Sequence, residues 1–235
     1  MSTHTHYLLY MFKALLNIFF PEVCLTCQLQ LIDNEKYLCT ACRHKLPLTN
    51  YHLDNNNFLS KLFYGRAKIE TGTALLHFEK KGITQQLMHQ LKYREHQQIG
   101  TFLGVWLGKE LKQCEAYSNV DLVIPVPLHK KKLRSRGYNQ VSKFALEIAN
   151  ALGADYEEDV LIKVTNTASQ VTKNRFARWT GKDDLFALNM AEKISGKHIL
   201  LVDDIITTGA TLEACIQELN KAENIKISIA TMAIA

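Results

Sequence analysis

The stretch Ile199-Leu-Leu-Val-Asp203-Asp204-Ile-Ile-Thr207-Thr208-Gly209-Ala210-Thr211 decides how the rest of the chain is read. It opens as a buried apolar strand and carries two adjacent acids, Asp203 and Asp204, at its carboxyl edge. That edge is where ligands bind in open α/β sheets. Thr207, Thr208, Gly209, Ala210 and Thr211 follow as a turn of small and hydroxyl residues that opens a helix over 211–221. Small side chains let backbone N–H groups approach a phosphate, the hydroxyls donate further bonds, and the helix dipole favours the negative charge. Paired carboxylates beside such a cradle suit the hydroxyls of a sugar phosphate. The stretch is neither a GxxxxGK[ST] nor a GxGxxG nucleotide turn. Acids that merely cap the next turn would leave the threonines and the glycine without a role.

Outward from this turn the chain alternates. Apolar runs at 121–127, 160–164, 198–202 and 227–234 read as strands, and 141–152 and 211–221 as amphipathic helices. Strands alternating with helices predict an α/β fold, a parallel sheet with right-handed crossovers. Upstream, 74–79 reads as a further strand, and 83–91 and 99–111 have helical periodicity. The polar run 49–57, with Asn50, Asp54, Asn55, Asn56 and Asn57, reads as a linker or loop. The boundary is therefore expected there, between an N-terminal segment 1–50 and a main domain 51–235.

The N-terminal segment holds Cys24-x-x-Cys27 and Cys39-x-x-Cys42, with eleven residues between the pairs. Two such knuckles at short separation fit one tetrahedral thiolate site for zinc. Residues 31–37 read as a small hairpin between them. Four thiolates leave no open coordination position, so the expected Zn2+ is structural. Cys215 falls on a helix face with Leu212, Ile216 and Leu219 and is expected to be a buried small side chain. Cys114 has no assigned role.

Composition excludes several classes. The 235 residues are 47% hydrophobic and 22% charged, with 11 Gly and 4 Pro, which rules out disorder and low complexity. A net charge of +5 is compatible with acidic ligands but too small to imply nucleic acid by itself. The apolar run 7–20 is interrupted by Lys13 and is shorter than the ~20 residues of a membrane span. Its spacing predicts a helix packed on the body of the protein, with attachment to a membrane surface as the alternative. No signal-peptide cleavage site follows it, so a cytoplasmic location is expected.

The turn at 203–211 resembles the PRPP (5-phosphoribosyl-1-pyrophosphate) signature of type I phosphoribosyltransferases. Residues 123–140, Val-Ile-Pro-Val-Pro-Leu-His-Lys-Lys-Lys-Leu-Arg-Ser-Arg-Gly-Tyr-Asn-Gln, resemble the matching segment of the ComF family, competence-associated phosphoribosyltransferase-like proteins. So do Leu91-Lys92-Tyr93 and the paired knuckles. The resemblance runs from about residue 21 to the C-terminus, with the motifs in order. It implies a type I phosphoribosyltransferase-like sheet after a zinc knuckle, and Mg2+-dependent transfer of phosphoribose to a nitrogen acceptor with release of pyrophosphate. Asp203 and Asp204 would be catalytic, with PRPP or ribose-5-phosphate held by Thr207 to Thr211. Residues 130–136 hold five cations in seven positions. The resemblance places them against pyrophosphate, with Arg134 and Arg136 as the phosphate contacts. A secondary alternative, which the family context supports, is a non-catalytic or regulatory PRPP-site protein acting in DNA uptake: a groove for single-stranded DNA, with Tyr138, Phe176 and Trp179 stacking and Lys173, Arg175 and Arg178 on the backbone. The chain departs from the family in the loop 165–190, where Gly181 stands about where an Asn is expected. A hood over the acceptor would have to come from around Leu91-Lys92-Tyr93.

Overall fold

A computed structural model of the chain describes residues 19–93, 96–164 and 185–235. The chain divides into two compact units, Met1–Leu46 and Pro47–Ala235.

In the larger unit one parallel sheet has the order β1-β7-β6-β2-β3. The strands are β1 (Gly72–His77), β2 (Leu122–Pro125), β3 (Asp155–Tyr156), β6 (His198–Ile206) and β7 (Lys226–Ile234). Central strands of a parallel sheet are covered on both faces and so are apolar without interruption. Val123, Ile124, Leu200, Leu201, Val202, Ile229 and Ala230 are fully buried. Side chains alternate between faces. Ile199 and Leu201 join Leu59, Phe63, Leu212 and Ile216 in one core, which draws in α2 (Phe58–Leu62) and α7 (Ala210–Leu219). Cys215 is buried in the same core, as its helix face predicts.

Three more helices complete the large unit: α3 (Ile83–Tyr93), α4 (Gln98–Leu111) and α6 (Ser142–Leu152). α4 packs on α6, which packs on β2. The approach is close because α4 presents glycines. A Cβ at Gly104 would lie 2.6 Å from the Phe144 carbonyl oxygen.

Several expectations change. The run at 160–164 is β4 (Leu161–Val164), which pairs antiparallel with β5 (Leu185–Leu188) in a separate two-stranded sheet. The cause is in the residues: Leu161 is buried, Ile162 is 39% exposed and Lys163 interrupts the run. This alternation suits a strand with one wet face. The short β3 takes the edge of the main sheet instead, with Asp155 opposite Leu122. The polar run 49–57 is tied down rather than a linker. Thr49 N–H donates to Leu75 O, Leu48 bridges Leu76, and buried Asn57 donates to Tyr51 O, Asp54 O and Gly72 O. Residues 47–50 thus belong with β1 in the larger unit.

In the smaller unit, residues 31–37 form a turn, with Glu35 N–H donating to Ile32 O, but their two sides do not pair. The bridges join Val23 to Gln30 and Lys36 to Leu38. Glu35 takes over the linking role. One carboxylate oxygen accepts from Thr40 N–H and Oγ1, and the other accepts from Ile32 N–H. Those donors hold its pKa below the ordinary value. α1 (Thr40–His44) follows, capped by the Cys39 side chain. The predicted helix over 7–20 lies outside the described residues except for Phe19 and Phe20, both exposed. Among the described residues no helix is long and apolar enough to cross a membrane.

Candidate functional site

The site forms where the sheet changes direction. From β6 the chain crosses to β7, on one side; from β2 it crosses to β3, on the other. A crevice opens between the carboxyl ends of two such strands. Pairing of β2 with β6 stops at Pro125 opposite Val202, and Val126 N–H makes the last bond, to Val202 O. β6 runs on against β7 to Ile206. Asp203 and Asp204 therefore lie within the strand rather than at its end, on a stretch that β2 has left uncovered.

The two acids are placed differently. Asp203 lines a pocket with Ile205, Ile206 and the turn 207–212. It is 9% exposed. Burial, and then the neighbouring Asp204 carboxylate, raise its pKa to about 8. One Asp203 oxygen accepts from the Asp204 N–H at 2.8 Å. Asp204 is engaged elsewhere. Its Oδ2 meets Lys92 Nζ at 2.8 Å and accepts from Gln140 Nε2 at 2.9 Å, while its Oδ1 accepts from the Ile205 N–H.

The turn itself depends on one glycine. Gly209 has φ +76° and is the residue before α7. A side chain there would adopt a left-handed conformation and meet Phe63 Cζ at 3.2 Å. Thr207, Thr208 and Ala210 are exposed at the pocket, and Thr211 is half-buried. Thr207 to Thr211, predicted as one phosphate cradle, are thus together at the start of a ten-residue helix.

The basic segment is a helix, α5 (Lys130–Arg136), capped by His129, whose Nδ1 accepts from Lys131 N–H, and ended by Gly137 at φ +81°. Lys130, Lys131, Lys132 and Arg134 are exposed; Arg136 is half-buried and donates to Gln140 Oε1. Arg136 thereby reaches Asp204 through Gln140, whereas Arg134 does not join this chain of bonds. Tyr138, considered for base stacking, donates its hydroxyl to Leu91 O. Phe176, Trp179, Lys173, Arg175, Arg178 and Gly181 lie outside the described residues.

The four cysteines of the smaller unit, Cys24, Cys27, Cys39 and Cys42, have sulfurs all within 4.8 Å of one another. Cys27 Sγ and Cys39 Sγ are 3.7 Å apart. That matches the ~3.8 Å edge of a tetrahedron built on metal–sulfur bonds of about 2.3 Å. Cys42 N–H donates to Cys39 Sγ. Burial raises Cys24, but hydrogen bonds from Thr26 and from nearby N–H groups outweigh it and bring the thiol to about 6; burial pushes Cys42 up to about 12. The four cysteines are placed to bind a metal, and a dication would hold all four as thiolates.

Three participants were not legible as such in the residue pattern. Gln140 and Lys92 sit inside stretches that resemble the family, but their meeting at Asp204 spans 64 residues in one case and more in the other. Arg66 donates to Thr208 O and Glu213, across 142 and 147 residues. No local spacing signals such contacts.

The chain is similar to known proteins. The family described as "Phosphoribosyl transferase domain" matches residues 139–234, from just beyond α5 through β7. The DNA utilization protein YhgH of Salmonella typhi is 28% identical over 129 residues, 54% of this chain and 56% of that protein. The match thus spans little more than half of that relative. The competence protein ComFC of Streptococcus pneumoniae is 36% identical over 107 residues, 46% of this chain and 43% of that protein. Among solved structures, adenine phosphoribosyltransferase from Leishmania tarentolae aligns with a TM-score of 0.38 at 10% identity, covering 80% of this chain and 94% of that one.

Proposed function

We propose that the chain is a ComF-family phosphoribosyltransferase-domain protein and that its larger unit binds PRPP and transfers phosphoribose to a nitrogen acceptor. One observation carries this: a buried carboxyl, Asp203, lines the same pocket as a turn opened by left-handed Gly209 at the start of α7. The N–H groups of the turn and the helix dipole take the 5′-phosphate. Asp203 and Asp204 exchange hydrogen bonds with the ribose hydroxyls. Arg136 and Arg134, on α5 after the neighbouring strand, meet the pyrophosphate.

In the reaction the acceptor nitrogen gives its lone pair to C1 of the ribose. The C1–oxygen bond breaks, and pyrophosphate leaves with that electron pair. The nitrogen's surplus proton passes to solvent. Negative charge grows on the departing oxygen, so guanidinium donors aimed at it stabilise the transition state. Asp203 and Asp204 offer hard carboxylate oxygens that would hold Mg2+, and the ion would supply further stabilisation of the charge on the departing pyrophosphate. Mixing the protein with PRPP, Mg2+ and a panel of bases and amines, and following pyrophosphate release, tests the transfer. Calorimetry that finds no PRPP binding by the wild type overturns the assignment.

The metal of the smaller unit is zinc on this reading, since four thiolates at tetrahedral spacing suit it and close its coordination. Protein purified without added metal should carry close to one zinc, lost in a Cys24→Ser/Cys27→Ser variant. Iron as the dominant metal would exclude it. A second reading, single-stranded DNA bound along α5, is favoured by the exposure of Lys130, Lys131, Lys132 and Arg134 and fits the names of the relatives.

A further inference from the structure

Arg66, four residues beyond α2, reaches the turn that follows β6. One guanidinium nitrogen donates to Thr208 O at 2.7 Å and, more loosely, to Leu62 O at 3.3 Å; the other donates to Glu213 Oε2 at 2.8 Å. The guanidinium carbon lies 5.9 Å from the Phe63 ring centroid. Phe63 is also the ring that closes off Gly209. One short segment, residues 62–66, therefore backs the whole turn.

Two physical consequences follow from these bonds. In a trans peptide the C=O and the next N–H point in opposite directions. Drawing the Thr208 carbonyl to Arg66 therefore turns the Gly209 N–H away from Arg66, leaving it for a ligand on the other side. The second consequence concerns charge. Glu213 lies in the first turn of α7, where the helix dipole favours one anion. A phosphate at the same helix end competes with that carboxylate. The Arg66 guanidinium neutralises Glu213 and removes the competition.

We propose that Arg66 is a positioning residue for the sugar phosphate: it orients the Gly209 N–H and cancels the Glu213 carboxylate, so that the turn accepts a phosphate dianion. This inference rests on the assignment of the turn as the 5′-phosphate site. It separates Arg66 from the cations of α5, which answer to the other end of the same ligand.

Calorimetry of ribose-5-phosphate on the full chain tests it, with Arg66→Met, Arg66→Lys, Glu213→Gln and the Arg66→Met/Glu213→Gln double variant. Arg66→Met should bind about tenfold more weakly, because the unneutralised Glu213 carboxylate then opposes the phosphate at the helix end. Arg66→Lys should lose less. Glu213→Gln added to Arg66→Met should recover most of the loss, because no carboxylate then opposes the phosphate. A purely structural Arg66 would lower the melting temperature of both Arg66→Met proteins alike, and Glu213→Gln would restore nothing; absence of that rescue overturns the proposal. So does Arg66→Met binding within twofold of the wild type. Should Arg66→Met fail to fold, Glu213→Gln alone decides: it must bind at least as tightly as the wild type, and weaker binding overturns the inference. Wild type that binds no ribose-5-phosphate removes the phosphate site and this inference together; wild type that binds while Arg66→Met is unaffected removes this inference alone.

Discussion

β2 and β6 are paired neighbours, and a segment follows each at its carboxyl end, yet the two segments are built in opposite ways. After β6 come short side chains, a left-handed glycine and a helix end. What can be offered there is mostly backbone, held in place by Phe63 and Arg66 before any ligand arrives. After β2 come long cations, four of them exposed. Holding a Lys or Arg side chain in one geometry costs up to about 2 kcal/mol of rotamer entropy, so such a surface adapts rather than pre-forms. The lesson is chemical. On the proposed transfer, a phosphate that stays on the ribose throughout suits a rigid cradle, whereas a pyrophosphate that must leave suits donors able to let go.

The sharpest way to break this contrast is at the acids. Asp203→Asn with Asp204→Asn should weaken PRPP binding by roughly 1.5–3 kcal/mol in total, the worth of one charge-assisted bond; calorimetry with Mg2+ that finds equal affinity would refute their role. Asp203 also sets a pH dependence. Its folded value of about 8 stands above its ordinary 3.8. Below pH ~4 both folded and unfolded chains keep the proton. Between about 4 and 8 only the unfolded chain ionises, so stability should fall as pH rises through that window and level off above it. Chemical denaturation across the range should show this decline, and Asp203→Asn should flatten it.

On the β2 side, Arg134→Ala/Arg136→Ala should cost about 1.5–3 kcal/mol in PRPP binding and much less in ribose-5-phosphate binding, which lacks the leaving group. If α5 tracks single-stranded DNA instead, PRPP affinity should hold while the salt slope of DNA binding falls by ~0.7 per lost phosphate contact. The single variants sharpen the test, since Arg136→Ala also frees Gln140 beside Asp204 and Arg134→Ala does not. Gly209→Ala should destabilise the turn by about 1–2 kcal/mol, the cost of a left-handed side chain, with ribose-5-phosphate affinity falling alongside the melting temperature. The smallest effect belongs to Lys130, Lys131 and Lys132. Their alanine variants should melt within about 0.5 kcal/mol of the wild type, since nothing in the core depends on them.

Periodicity and local spacing carried most of this architecture. The apolar runs of β2, β6 and β7 read as doubly covered strands, the small-residue turn follows one of them, and two paired knuckles at eleven residues' separation bring four sulfurs together. Each of these depends on residues close in the chain, so short-range geometry is enough to read them. The partition of the two acids was different. Adjacent in sequence, Asp203 and Asp204 looked like one functional pair, but alternation along β6 places one in the pocket and gives the other to Lys92 and Gln140. β4 left the main sheet, and Arg66 joined the turn after β6. Those outcomes depend on which distant segments the packed sheet brings within about 3 Å of each other, and a linear pattern holds no record of that distance.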